Sequence, residues 1–469
     1  MSAPGISRPA AVVDDRQPWW RGWLKAIAAY RHPRVLAMLF LGFSAGLPFM
    51  LVFTTLSAWL RELGIDRTTI GMLSWVGLAY TLKFFWAPVV DRLQLPVFGR
   101  LLGRRRSWML LAQIGIAIGL VNIAHTSPVG NLGALAGFAL LVAFSSATQD
   151  IAIDAWRIEA APQPMQGVMA AAYQLGYRIA IMVASAGALW IAADHGFSAA
   201  YIAMAAMVGI GIVTTLLIPE PEPRAPTSAM AQEQRVIAWL QRNAHLPASL
   251  RDIGAWFTGA VVCPFVDFFS RYGTKLGLLI LVFAASYRLT DFTMGVMANP
   301  FYIDVGYTLK EIAAVAKGFG LIASIVGVLI GGVVVARLGT VRSLVLGSVL
   351  VIASNLLFMT LAWTSEPSLA WLALVVSADN LAMGVAGTAL IAYLSSLTSP
   401  AYTATQYALF SSAYALPGKL LMGGSGFVVD QAGYPWFFIY TSMLGLPALV
   451  LLWLVVRQSR AVANGPRPA

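Results

Sequence analysis

The sequence predicts an all-α membrane protein of twelve transmembrane helices arranged as two six-helix bundles. Three observations carry this. Of 469 residues, 59% are hydrophobic and only 11% charged, with a mean hydropathy of +0.75; a soluble domain carries about 25% charged residues. The apolar runs are about 20 residues long and uninterrupted, which suits membrane-crossing helices and not the alternating pattern of a barrel. Finally, two halves of the chain echo one another on either side of a polar insert.

The elements follow in order. Residues 1–34 are polar, with Pro, Asp and Arg, and read as a cytoplasmic N-terminal segment without a cleavable signal pattern. The first bundle, 35–218, holds spans at 35–59, 69–90, 108–124, 132–153, 167–193 and 199–218. Residues 219–275 form a cytoplasmic insert that opens Pro-rich. Its apolar run 253–266, flanked by Arg251, Asp252 and Asp267, is short for a span and reads as an interfacial amphipathic helix. A thirteenth span would also turn Arg337 and Arg342 outward. The second bundle, 276–456, holds spans at 276–302, 312–336, 343–363, 369–397, 403–429 and 436–456, and 457–469 is a cytoplasmic tail. With the N-terminus inside, 23 Lys and Arg fall on the cytoplasmic side and only Arg61, Arg67 and Lys310 opposite. That bias places both termini in the cytoplasm.

Nine ionisable groups lie at membrane depth: Lys83, Arg178, Arg288, Lys317 and Lys419 against Asp150, Asp154, Asp291 and Asp379. Each costs roughly 2.5–3.5 kcal/mol at the centre of a bilayer on insertion scales. Unpaired, they would forfeit more than the net stability of a typical fold, so they must face one another, water or a polar ligand. A charged interior of this kind belongs to a transporter. Cys263 is the sole cysteine and the four histidines are scattered near segment ends. That leaves no metal site, no catalytic cluster and no cofactor site, and argues against an enzyme. The net charge of +11 resides in loops, where it orients the chain and meets anionic lipid, so nucleic acid is not an expected partner. A monomer is expected.

The repeat is local but ordered. Thr68-Thr69-Ile70 precedes a span ending Val90-Asp91-Arg92; Thr308 and Glu311 precede one ending Val335-Ala336-Arg337. Gln166 stands 12 residues before Arg178, and Gln406 stands 13 before Lys419. Two such bundles in parallel repeat are the major facilitator architecture, with a substrate site between them near the midplane. Asp91-Arg92 followed by Gly103-Arg104-Arg105-Arg106 is similar to that superfamily's Asp-Arg…Gly-Arg-Arg loop, and the second half keeps Arg337 but has Ala336 where the Asp should stand. Asp91, Arg92, Arg104, Arg105, Arg106 and Arg337 are therefore gating candidates. In this reading Asp91 latches onto a helix terminus or an Arg in one conformation and is released in the other. Topology and lipid contact are the alternative for the Arg cluster.

A narrower resemblance rests on six stretches in order. They are Leu41-Gly42-Phe43-Ser44-Ala45-Gly46-Leu47-Pro48, Lys83-Phe84-Phe85-Trp86-Ala87-Pro88, Ser145-Ser146-Ala147-Thr148-Gln149-Asp150-Ile151-Ala152-Ile153-Asp154, Leu175-Gly176-Tyr177-Arg178, Tyr287-Arg288-Leu289-Thr290-Asp291 and Thr405-Gln406-Tyr407-Ala408. Together they resemble the AmpG-type muropeptide permeases over 35–456, departing at Ser377-Ala378-Asp379-Asn380, at Thr290 and at Lys419. The resemblance implies a bacterial inner-membrane permease driven by the proton motive force. It would import GlcNAc-1,6-anhydro-MurNAc and its peptides for peptidoglycan recycling, and in some hosts would feed β-lactamase induction. A permease for acetyl-CoA or a siderophore, a non-transporting sensor, and a membrane enzyme are the alternatives.

The residues themselves nominate a site for an anionic sugar-peptide and for protons. Gln149 and Asp150 lie in the fourth span, with Asp154 one turn on. Asp150 is the first candidate for the proton; Asp154 is a second candidate or a helix-end partner of a loop Arg. Tyr173, Gln174, Tyr177 and Arg178 form one stripe of the fifth span, suited to sugar faces, hydroxyls and carboxylates. Arg178 is alternatively a structural partner of Asp150. Lys83 and Trp86 stand near the end of the second span, where Lys83 either binds a carboxylate or snorkels. Arg288 and Asp291 are i, i+3 neighbours, and Asp379, Asn380 and Lys419 belong to the second bundle's share of the cavity. Asp291 and Asp379 are further proton candidates. In the expected cycle a proton neutralises Asp150, frees Arg178 for a substrate carboxylate, and the bundles rock.

Overall fold

The computed structural model describes residues 24, 27–65, 69, 73–222, 227–364, 368–421 and 424–464. The side chains of Lys317 and Lys419 lie outside the described residues. The first bundle is α1 (Pro33–Glu62), α2 (73–92), α3 (Arg104–His125), α4 (Leu132–Ala160), α5 (163–195) and α6 (197–217). The second is α7 (Thr274–Val305), α8 (309–338), α9 (Thr340–Ala362), α10 (Leu369–Leu397), α11 (Thr403–Leu421, resuming at Ser425) and α12 (434–464). Single glycines make two of the reversals: Gly196 (φ +82°) between α5 and α6, and Gly433 (φ +78°) between α11 and α12. Both sit in the left-handed region that a side chain disfavours.

Length and hydropathy alone mark ten described helices as able to cross a membrane. One of these, Gln163–Leu217, is α5 and α6 run together, and another is the linker helix Ala248–Tyr272. Two bundle helices escape that measure. The helix α2 is broken into short pieces (Ser74–Gly77, Leu78–Leu82, Lys83–Phe85, Ala87–Arg92), and α11 is interrupted after Leu421. Breaks also mark α7, where Tyr287 and Arg288 leave the helical ladder, and wide π-type turns mark α1 (Leu51–Thr55), α5 (Val183–Gly187) and α8 (Ala313–Phe319). Irregular turns of this kind concentrate where helices line a site.

Small residues bring the helices close. On α1, Gly42 and Gly46 face the backbone of Tyr173 and Tyr177 on α5; on α5, Gly176 faces the backbone of Leu39 and Phe43. In the second bundle Gly327 of α8 and Gly384 of α10 do the same for one another's helices. Without apolar driving force in lipid, such backbone approach supplies the packing that holds a bundle.

The chain enters α1 and leaves α12 at one end of the molecule, here the proximal end; the opposite end is distal. The linker helix Ala248–Tyr272 belongs to the proximal end and is longer than its apolar run of 14 suggested. Its Gly259 abuts Arg92 at the end of α2, and its Pro264 carbonyl and Asp267 accept from the Gln406 amide at the start of α11 (2.8 and 3.0 Å). Arg271 then donates to the Leu397 carbonyl at the end of α10 (3.1 Å). Over that stretch the helix touches the proximal termini of three bundle helices, so it runs across their ends.

The bundles are joined at the same end. The Tyr30 hydroxyl donates to the Leu329 carbonyl (2.9 Å), Gln174 of α5 donates to Thr388 Oγ1 of α10 (2.6 Å), and Arg157 of α4 donates to Ser395 Oγ of α10 (2.7 Å). Gly167 of α5 packs on Val335 of α8. The proximal seam is closed in this conformation.

Candidate functional site

The seam is built around Asp91. Its carboxylate is buried and pairs with the equally buried Arg105 (2.7 Å). Its other oxygen accepts from both the backbone N–H and the hydroxyl of Thr405 (3.1 and 3.0 Å), at the first turn of α11. One carboxylate thus holds an Arg of its own bundle and the N-terminus of a helix of the other, where a negative charge is favoured. Glu159 shares Arg105. The three arginines of the loop have separate tasks. Arg105 is the ion-pair hub. Arg106 donates to the Thr215 and Leu216 carbonyls at the end of α6 (2.9 and 2.6 Å), and Arg104 lines a polar cavity of about 430 Å³ with Glu159, Glu222 and Ser395. Arg92 lies over the Tyr402 ring (5.7 Å). Arg337 is half-buried and enters no ion pair with a described residue.

Outside the spans, the Glu220 carboxylate accepts from the backbone N–H groups of Arg105 (2.7 Å) and Arg106 (3.1 Å) and so caps α3. Burial pushes this carboxyl above its ordinary range, and the two N–H bonds pull it back in part.

Asp154 pairs within its own helix with Arg157 (3.2 Å). Arg157 is fully buried, reaches Ser395, and lies over the Tyr407 ring (5.1 Å), so it too ties α4 to the second bundle. Arg157 had been counted with the loop charges; its position three residues past Asp154 was the signal that it belongs inside. Glu159 and Glu220 are further residues at this end that the sequence did not single out, and Thr405 stood only in a motif, without a role.

Deeper in, Asp150 and Arg178 do not pair. The basic group nearest Asp150 is Lys83, with Tyr173 and Tyr177 also beside it. Lys83 is only 9% exposed, so it does not snorkel. The 3₁₀ turn Lys83–Phe85 turns it inward toward α4. Gln149 is buried and accepts from the Ser44 hydroxyl (3.0 Å), a wall contact between α1 and α4. Trp86 is spent on packing: its indole donates to Thr148 (3.1 Å) and its ring lies 4.7 Å from that of Phe144.

Arg178 instead lies within electrostatic reach of Arg288, a guanidinium of the other bundle. Gln174, one turn before Arg178, meets Arg288 over Gly387 of α10. Arg288 pairs with Asp291 (2.7 Å), while Arg178 enters no ion pair with a described residue. Two like charges are therefore gathered between the bundles with one carboxylate for both. Beside them, Asp291, Tyr302, Asn355, Asp379 and Asn380 line a cavity of about 200 Å³ within the second bundle. The arrangement offers cationic, hydroxyl and amide groups to an anion between the bundles.

Comparison with known proteins agrees with this architecture. The Major Facilitator Superfamily model matches residues 38–422. A protein of Rickettsia conorii (strain ATCC VR-613 / Malish 7), named putative transporter AmpG 4, is 33% identical over 427 residues, spanning 90% of this chain and 96% of that one. The anhydromuropeptide permease of Escherichia coli (strain K12) is 35% identical over 433 residues, 92% of this chain and 81% of that one. Among solved structures, the major facilitator transporter FucP in the outward conformation superposes with a TM-score of 0.62 at 11% identity, covering 91% of this chain and 99% of that one. The proton:xylose symporter XylE gives 0.60 at 13% identity, covering 95% and 100%. These two share the fold alone. The chain belongs to the Major Facilitator Superfamily and, within it, to the AmpG-type muropeptide permeases.

Proposed function

We propose that this protein imports anhydromuropeptides, GlcNAc-1,6-anhydro-MurNAc and its peptides, by proton-coupled alternating access across a bacterial inner membrane. The Lys and Arg bias makes the proximal end cytoplasmic, so the closed proximal seam corresponds to a state that receives substrate from outside. The observation that carries the reading is that Gln174 of α5 and Arg288 of the other bundle come together over Gly387 of α10, with Arg178 one turn beyond Gln174 and within electrostatic reach of Arg288. With Arg288 paired to Asp291 and Arg178 left without an ion pair among the described residues, a carboxylate-bearing substrate supplies the missing counter-charge to Arg178 and draws the bundles together. Tyr173, Tyr177 and Gln174 supply ring faces and an amide for the sugars.

Asp150, held beside Lys83, is the proton site in this proposal. Protonation there releases the Lys83 ammonium, and substrate entry and proton entry are linked through α4 and α5. The transporting unit in this proposal is a monomer. The test is uptake of radiolabelled anhydromuropeptide into proteoliposomes under an acid-outside gradient. Accumulation above the equilibrium level in wild type, and its loss in Asp150→Asn, are expected. Equal accumulation in Asp150→Asn removes Asp150 from the mechanism, and competition by acetyl-CoA but not by muropeptide would reassign the substrate.

A further inference from the structure

The cavity inside the second bundle has a chemical bias that the anion reading does not use. Each of its two amides already commits one N–H to its own helix. Asn355 Nδ2 donates to the Val351 carbonyl (3.1 Å) and Asn380 Nδ2 to the Val376 carbonyl (2.9 Å). The Ser354 hydroxyl lies against the Val351 carbonyl (2.9 Å) and Asp379 Oδ1 (3.1 Å). The acceptors that line the cavity are the Asp379 carboxylate and the amide oxygens of Asn380 and of Asn355, the last also meeting the Thr441 hydroxyl (3.5 Å). Asp379 is only 9% exposed and forms no ion pair with a described residue, whereas the neighbouring Asp291 pairs with Arg288, whose charge also acts on Asp379. A buried carboxylate without a cation is costly unless something brings a proton or a positive charge to it.

The remaining lining is Asp291, Tyr302 and Val376 together with the unbranched or small Met294, Gly295, Ala298 and Met383, and a Cβ placed on Gly295 would meet nothing within 4 Å. The cavity of about 200 Å³ is larger than a bare ion needs. It suits a donor-rich head on an aliphatic stem. We propose that it binds a primary ammonium group carried on a methylene chain of the substrate's peptide. Resting on the muropeptide reading, this makes recognition dipolar. Carboxylates go to Arg178 and Arg288, and an amine goes to Asp379, Asn355 and Asn380 a short distance into the second bundle. The ammonium has three N–H donors for these three acceptors, and its charge compensates Asp379.

The test compares three probes on the full chain in proteoliposomes. These are a muropeptide whose stem carries a side-chain primary amine, the same compound N-acetylated at that amine, and the peptide-free disaccharide. Acetylation should raise KM by roughly 10- to 100-fold, the value of one charge-assisted contact in a desolvated site. In Asp379→Asn the ratio of the two KM values should fall toward one, whatever the absolute rate. Equal KM for the amine and its acetylated form in wild type overturns the inference while leaving disaccharide uptake, and hence the transport reading, intact. A ratio that survives in Asp379→Asn also overturns it, as does uptake that requires sodium and ignores the amine. Absence of disaccharide uptake in wild type would instead sink the transport reading itself.

Discussion

Replacing Asp91 by Asn should loosen the proximal seam by an amount that the structure lets us work out. Asp91 makes a buried pair with Arg105 and two bonds to Thr405. Breaking a buried pair costs about 3–5 kcal/mol when the partner is left alone. Here Glu159 stays on Arg105 and the amide keeps one acceptor, so about 2 kcal/mol is a better figure for that part. Loss of negative charge at the start of α11 adds about 1 kcal/mol. A shift of about 3 kcal/mol between closed and open seam is roughly 100-fold in population. The sole cysteine reports it. Cys263 is fully buried on the linker helix between Arg92 of α2 and Tyr402 before α11, residues that must separate when the seam opens. Labelling of Cys263 by a maleimide, at fixed pH and without substrate, should therefore accelerate by about two orders of magnitude in Asp91→Asn. Equal labelling rates, in a variant with an unchanged thermal unfolding midpoint, would show that Asp91 is not a latch.

Further outcomes follow from the same contacts. Arg157→Ala leaves Asp154 buried without its cation and removes the bond to Ser395. It should lower stability by about 3–5 kcal/mol, read as a fall in the thermal unfolding midpoint. Gly176→Ala places a methyl against the backbone of Leu39 and Phe43; overpacking of this kind costs about 1–3 kcal/mol and should separate α1 from α5, visible as reduced folded yield, whereas Gly137→Ala, where nothing lies within 4 Å, should be neutral. Glu220 has a carboxyl raised by burial. Its stability contribution is fully present below the ordinary glutamate value of 4.5 and is lost as pH rises through the higher folded value. Glu220→Gln should therefore flatten the stability–pH curve across that window, and an unchanged curve would contradict it.

Much of the fold could be read because hydropathy and charge bias are one-dimensional signals. The long runs in α3, α4, α9 and α10 announced themselves, and so did the proximal excess of Lys and Arg. The broken helices were harder to place by length: α2 changes turn type three times before Arg92. Side-chain partners across helices were the least legible. The i+4 step from Asp150 to Asp154 placed two acids on one face, but nothing in the spacing told that Lys83, 67 positions earlier, would reach Asp150 in place of Arg178. Arg157 looked like a loop charge because it follows the apolar run; α4 continues to Ala160 and carries it inside. Trp86 stood among the substrate-binding candidates for its place three residues from Lys83, and Thr148 and Phe144 hold its indole N–H and its ring. The repeat had set Gln166 beside Gln406, and the two have comparable surroundings. Each satisfies backbone groups at the proximal turn before its helix: Gln166 donates to the Ala161 carbonyl (3.0 Å) and Gln406 accepts from the Ser399 N–H (2.7 Å).

The claim on which the rest depends is that two guanidiniums, one from each bundle, hold a single anionic ligand. A double-mutant cycle on muropeptide affinity, with Arg178→Gln, Arg288→Gln and the pair, tests it by titration calorimetry. Each single change should weaken Kd by roughly 10- to 100-fold, and the pair should depart from additivity by about 1 kcal/mol or more, since both groups engage the same ligand. Strict additivity with small single effects would mean that the ligand binds elsewhere and that the arginines serve the helices alone.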